Sequence, residues 1–460
     1  MDYGRGTPLL PNESTEEAFP VDSDRAEGWS YGFPFLLVLA YLLVDYGRPQ
    51  DWFTPLRLVR PGMIIIAANV LVLFTRGALV VPRLAKYMLA FLSLMVLLIP
   101  VARNSRMAFN TTWSFALLMF GAVLPIISCT DTYRRFERLI GFFVWIHVPL
   151  ALYSLTHRGF GIGSFLSDEN DFCLALNVVL PYAVALFVLS RSAVRRVLLG
   201  LVVALILVAA TSTFSRGGFV GLLSVAVMIW LRSRRKILML VVAAALAGVV
   251  FASTPSSYWL EMKTIETADR KGDTGNTRLY YWSLAWQMFL DHPVVGVGPN
   301  NFQFNTLSYD APLRGLGVWG RAAHSVYFTL LPEFGVPGVV LFAAIAIGGW
   351  RVRRRLRKRC ATFLAGLEGS EDDRQRTRTL REILGAIDAS LVAFLSTAAF
   401  ISVLYYPHFW ILTALTAAAA IVGEKLVPDP QLAEEPVVAN WQVAGQVRPG
   451  SGQEIRPRAQ

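Results

Sequence analysis

Three arginines and one histidine at the edges of apolar stretches are the side chains best suited to chemistry. Arg216 lies in the short turn Thr211–Gly218 between two apolar runs, Arg278 opens a helical pattern, and Arg321 comes three residues before His324. Guanidinium groups match phosphate oxygens in two-point geometry, and imidazole commonly takes a proton near neutral pH. The alternatives are interfacial arginines that extend to lipid headgroups and a structural histidine.

Acidic and amide side chains supply further candidates. Glu333 lies nine residues beyond His324 in an apolar run, where an ionisable group needs a partner such as an arginine or a polar backbone group. It fits a structural partner and a site residue equally well. Asp168, Asn170 and Asp171 precede another apolar run. They either cap a helix and favour its dipole or contact sugar hydroxyls or an arginine.

The elements that must position these residues are membrane helices. Of the 460 residues, 54% are hydrophobic and only 16% are charged, against about 25% charged in soluble domains. The apolar runs have membrane-spanning length, and backbone groups in lipid must be paired within helices. The net charge of +11 fits basic cytoplasmic loops better than nucleic-acid binding, for which no module is visible. The three cysteines lie far apart and predict neither a disulfide nor a zinc site.

The sequence therefore predicts an all-α polytopic membrane protein with about twelve transmembrane helices and one large periplasmic loop that contains an amphipathic helix. The predicted spans are 31–46, 62–75, 86–100, 112–129, 138–156, 172–190, 196–213, 217–231, 236–253, 324–349, 387–404 and 408–424.

Basic residues predict the orientation. With a cytoplasmic N-terminus, 30 of the 43 lysines and arginines fall on the inside, and every short inside loop is basic. Both termini are then cytoplasmic. The predicted regions are a disordered tail at 1–29, spans one to nine at 30–254, the periplasmic loop at 255–323, spans ten to twelve at 324–424 with a basic cytoplasmic loop at 350–386, and a disordered tail at 425–460.

The large loop carries one helical pattern, which Asn276 or Thr277 can cap and which Pro293 and Gly296 end. We expect this helix to lie on the outer membrane face or against the bundle. Its predicted apolar face comprises Leu279, Trp282, Trp286 and Phe289.

Standard catalytic signatures are missing: there is no Walker A loop, no HExxH and no GxSxG. Gly296–Pro299 lacks the strand–helix context of a dinucleotide motif and fits a tight turn. Asp22 and Asp24 match an acidic motif of sugar transferases, but they lie in the predicted disordered tail.

Four ordered stretches, together with these arginines, resemble the O-antigen ligase and polymerase superfamily of bacterial inner-membrane proteins. They are Ser215–Gly217; Arg278 with Tyr281–Trp282, ending in Asp291–Phe302; His324–Tyr327; and Glu333–Gly338. Tyr46–Trp52 is similar to the subgroup of O-glycosylation ligases associated with exosortase systems.

The resemblance implies an inverting glycosyltransferase that needs no metal or other cofactor. An acceptor hydroxyl on a lipid, a protein or a growing glycan would attack a saccharide carried on undecaprenyl pyrophosphate at the periplasmic face. Arg216 and Arg278, with Arg321 third, would bind the pyrophosphate. His324 would take the acceptor proton, and Glu333 would hold His324 or an arginine. Candidate glycan or acceptor contacts are Asp168, Asn170, Asp171, Tyr281 and Tyr327; the family motif itself does not assign Asp168.

Two alternatives remain open. A polymerase of the same superfamily would use the same chemistry and differ only in its acceptor. A transporter or flippase of lipid-linked saccharides would instead require charged residues deep within several spans and internal repeats. The sequence leaves the glycan, the acceptor, the oligomeric state and the protein partners undetermined. Membrane lipids are expected to surround the helices.

Overall fold

The computed structural model describes residues 32–75, 77, 79–163, 165–233, 235–237, 248, 274–310, 320–366 and 369–427. Every regular element within these ranges is helical, which confirms the predicted all-α polytopic class. Both predicted terminal tails lie almost wholly outside the described residues.

The helices of the N-terminal half pack side by side, and two of them end in a π-helical turn, at Leu43–Gly47 and Met119–Val123. The helices are α1 (Gly32–Leu42), α2 (Pro49–Trp52), α3 (Leu56–Val59), α4 (Pro61–Thr75), α5 (Arg83–Leu98), α6 (Ser105–Leu118), α7 (Leu124–Cys129), α8 (Tyr133–Trp145), α9 (His147–Thr156), α10 (Glu169–Leu189), α11 (Ala193–Ser212) and α12 (Arg216–Arg232).

The C-terminal half contains the two longest of the described helices, with 40 and 27 residues, and three shorter ones. They are α13 (Thr274–Asp291), α14 (Phe302–Tyr309), α15 (Val326–Ala365), α16 (Glu371–Thr397) and α17 (Pro407–Leu426). Helix α15 is kinked at Gly335, whose φ is 58°.

Among the described residues, nine helical segments are long and apolar enough to cross a membrane. The shorter Gly32–Gly47 and the 17-residue α12 add two apolar helices. Eleven of the twelve predicted spans coincide with described helices. The ninth, 236–253, falls almost entirely outside the described residues.

Contacts between connecting segments divide the bundle into two ends. At one end, which we call the site end, Asn170 bonds to Ser215 and Asn104 to Asn301. At the opposite end, Arg191 donates to Gln375. The basic-residue pattern grouped these segments in the same way.

The predicted basic loop 350–386 is mostly helical, because α15 runs on to Ala365 and α16 begins at Glu371. Arg353, assigned to that loop by the sequence, is buried and lies 2.6 Å from the buried Asp388 of α16. It also donates to Thr416 of α17. A charged residue removed from water needs such partners. Through Asp388 and Thr416, Arg353 links α15 to α16 and α17.

Candidate functional site

The start of α12 fixes Arg216 against the start of α10. Ser215 caps α12 by accepting a hydrogen bond from the Gly218 amide, and its hydroxyl donates to Asn170 Oδ1 at 2.7 Å. A Cβ atom at Gly218 would lie 2.3 Å from the Cys173 sulfur. Glycine at this position therefore allows the two helix starts to approach closely.

Helix α13 positions Arg278, and it is anchored to the segment that carries His324. The Trp282 indole donates to the Ala323 carbonyl at 3.0 Å and stacks on Phe328 with ring centroids 4.9 Å apart. This anchor lies about one turn from Arg278, so it limits how far the guanidinium can move from His324.

The predicted helix in the large loop is thus present, and the face that packs against the rest of the site end is not the predicted apolar face. Leu279 and Trp286 are exposed, and Trp282 and Phe289 are only partly buried. The side chains that pack α13 against the rest of the site end are Tyr281, Leu284, Ala285 and Met288.

His324 has an unusual backbone conformation. Its φ is 49°, in the left-handed region that favours glycine. The buried Ala323 precedes it, and Ser325, the N-cap of α15, follows it. Such strain costs about 1–3 kcal/mol and persists only where neighbours fix the chain. Here the buried Ala323 and the N-cap Ser325 hold the His324 imidazole at the surface of the site end.

The charges at the site end interact with one another. Partial burial, then the Arg216 charge, lowers the pKa of Arg278, while Asp168 opposes this shift. Partial burial, then Arg278, also lowers the pKa of His324; Asp168 raises it and Arg321 lowers it further. The structure therefore brings the three predicted arginines, His324 and Asp168 into one electrostatic cluster.

Three long helices begin at this cluster. Asp168 caps α10, Ser215 caps α12 and Ser325 caps α15. The positive ends of the three helix dipoles lie at the same end as the arginine charges and add to the positive potential there, so the cluster favours an anion.

Glu333 is buried away from the cluster's arginines. Its carboxylate accepts from the backbone amides of Asn300 at 2.8 Å and Phe302 at 3.1 Å, and from the Tyr405 hydroxyl. Burial, then the Glu333 charge, raises the pKa of Tyr405, so this phenol stays a donor. Two of these partners are polar backbone groups, which the sequence offered as the alternative to an arginine, and none of the three is a histidine or an arginine.

Two glycine motifs that are separate in the sequence form one joint around Glu333. Segment 293–298 lies against the α15 kink, and a Cβ at Gly296 or Gly335 would come within 2.5 Å of backbone atoms across the joint. Both glycines have positive φ. The bonds that close the joint are Val297 N to Pro332 O, Gly298 N to Glu333 O and Val336 N to Pro293 O.

The remaining predicted residues have individual surroundings. Asp168 is exposed and accepts from the Asn170 amide. Asp171 is buried next to Tyr406, whose pKa rises through burial and then through that carboxylate. Tyr281 is 1% exposed, so a glycan could reach it only if the surrounding cluster opened. The hydroxyl of Tyr327, which is 38% exposed, donates to the Leu395 carbonyl.

Sequence reasoning missed the supporting residues Asn300, Asn301 and Tyr405. The two asparagines were visible only as the end of a family-like motif, and nothing in the sequence links Tyr405 to Glu333. A cavity of about 40 Å³ separates this group from Ala322–Ala323. Within the described ranges, no group of three or more His, Cys, Asp or Glu residues is arranged to hold a metal ion.

The long apolar helices define a polytopic membrane protein, and a cationic cluster that contains one imidazole lies at one end of the bundle. Residues 201–343 match the family model described as O-antigen ligase. This match supports membership of the O-antigen ligase superfamily and confirms the resemblance. The matched range contains Arg216, Arg278, Arg321 and His324, whereas Asp168 lies outside it. No curated protein matches the chain.

Proposed function

We propose that this protein transfers a glycan from an undecaprenyl-pyrophosphate donor to an acceptor hydroxyl at the periplasmic face of the bacterial inner membrane. The observation that carries the proposal is that Arg216, Arg278 and His324, far apart in sequence, lie at one end of the bundle, where Ser215 bonds to Asn170 and Trp282 bonds to Ala323. The family match supports ligase- or polymerase-like chemistry in general.

The leaving group sets the first demand on the site. A lipid pyrophosphate departs with several negative charges, and preorganised cations stabilise charge that develops in the transition state. Arg216 and Arg278 bind its oxygens, with Arg321 at the exposed rim. The dipoles of α10, α12 and α15, which begin at the cluster, add positive potential to it.

The acceptor sets the second demand. Its hydroxyl oxygen bonds to the anomeric carbon while the bond from that carbon to the pyrophosphate oxygen breaks, and the configuration inverts. The hydroxyl proton passes to the His324 imidazole. Because partial burial, and then the Arg278 charge, lower the pKa of His324, the imidazole is neutral near pH 7 and available as a base. Asp168 limits that lowering and then stabilises the imidazolium.

A transporter would need ionisable groups within its spans for cargo. Arg353 and Asp388 are such groups, but they bond to each other and to Thr416. This pairing supports a structural role for both residues and leaves the enzyme as the better proposal.

The proposal is tested by incubating purified protein with a lipid-linked glycan and candidate acceptors, then identifying the group at the product's reducing end. A lipid or protein acceptor indicates a ligase, and a second repeat unit indicates a polymerase. His324→Ala should abolish transfer while membrane insertion is retained. The matched control is His157→Ala, because His157 lies at the same end but stacks on Tyr153. Equal activity of both variants would remove His324 from the mechanism.

A further inference from the structure

The cations of α15 beyond its apolar part fall into two sets, and one set faces the bundle. Arg353 and Arg357 both bond to Asp388, and Arg359 lies 3.0 Å from Glu424. The ion pairs of these three arginines therefore hold α15 against its neighbouring helices.

The second set faces outward. Arg351, Arg354, Arg355 and Lys358 are exposed, and their spacing of three, four and seven positions places them on one face of the helix. Within the part of the chain that the structure describes, no salt bridge joins any of the four to an acidic residue. They form a stripe of positive charge, which we call the basic stripe.

The basic stripe continues an apolar stripe on the same face of α15. Val336, Val340, Ile347 and Trp350 are all large, apolar and exposed. In a helix that crosses a bilayer, such side chains contact lipid tails, and tryptophan marks the depth of the headgroups. The Arg354 guanidinium lies 5.2 Å from the Trp350 ring centroid. The basic stripe therefore begins where the lipid headgroups lie.

We propose that the basic stripe is a binding site for the phosphate headgroups of anionic phospholipids, at the end of the bundle opposite the candidate active site. Charge complementarity and continuity with the lipid-facing stripe identify this occupant, because clustered Lys and Arg just beyond a span attract anionic lipid. The site does not depend on the glycan-transfer proposal.

The test measures lipid binding by the full-length protein, purified in one detergent and titrated with phosphatidylglycerol or phosphatidylcholine under native mass spectrometry. The quadruple variant Arg351→Gln, Arg354→Gln, Arg355→Gln, Lys358→Gln should lose at least about tenfold in phosphatidylglycerol affinity, with no change for phosphatidylcholine. Replacing the three arginines with lysine should retain most of the binding.

Two further comparisons keep the result decisive. Arg235→Gln with Lys236→Gln removes exposed charge at the end of α12, and it should leave phosphatidylglycerol binding within about twofold of wild type, because these residues lie outside the basic stripe. If the quadruple variant does not fold, the single variants Arg351→Gln and Arg355→Gln and the salt dependence of the wild type replace it. Equal loss in the α12 control, equal binding of the two lipids, or salt-independent binding would each overturn the proposal.

Discussion

Glu333→Gln tests whether this buried acid supports the fold or takes part in the chemistry. Oε2 accepts from the Asn300 amide and the Tyr405 hydroxyl, and Oε1 accepts from the Phe302 amide. Glutamine keeps one acceptor oxygen and turns a donor toward the other partner, so one or two charge-assisted bonds are lost. At about 1.5–3 kcal/mol for each such bond, the free energy of unfolding should fall by about 1.5–6 kcal/mol.

The assay is thermal unfolding in detergent, followed by intrinsic fluorescence, with transfer activity measured well below the transition. We expect a lower melting temperature and substantial remaining activity at low temperature. Tyr405→Phe is the matched control: it removes the hydroxyl that donates to Glu333 and accepts from the Asn300 amide, and it leaves both backbone bonds to Glu333, so its loss should be about 1.5–3 kcal/mol. An inactive Glu333→Gln protein with wild-type stability would refute this reasoning and assign Glu333 to the reaction itself.

Three further predictions concern the site and its support. Arg216→Lys should reduce transfer by at least about tenfold with little change in melting temperature, because a point charge loses the two-point geometry; unchanged kinetics would argue against a phosphate contact. Arg278→Met removes a charge that lowers the pKa of His324, so the acid limb of the pH–activity profile should move to higher pH; an unmoved limb would show that another group sets it. Gly335→Ala should destabilise by about 2 kcal/mol or more, because its φ is 58° and the new Cβ would lie 2.4 Å from the Pro293 carbonyl oxygen; a melting temperature equal to wild type would contradict this account of the joint.

Apolar run length predicted most of the fold, since eleven spans follow from hydropathy alone. The charge cluster was predictable in part, because Arg216, Arg278 and Arg321 lie at the edges of apolar runs or helical patterns. The partners of Glu333 were not, since they come from segments about 30 and 70 residues away. The face by which α13 packs could not be predicted either: Leu279 and Trp286 are as apolar as the residues that pack, so periodicity does not separate the two faces.

The buried pair of Arg353 and Asp388 constrains how the chain enters the membrane. Each charge alone would be costly in lipid, and the two belong to helices that are synthesised one after the other. Arg353 must therefore remain near water until Asp388 has been synthesised and can pair with it. We expect α15 and α16 to insert together as a helical hairpin. A nascent chain stopped before residue 388 should leave the end of α15 accessible to aqueous thiol reagents, through Cys360, and open to quality-control proteases.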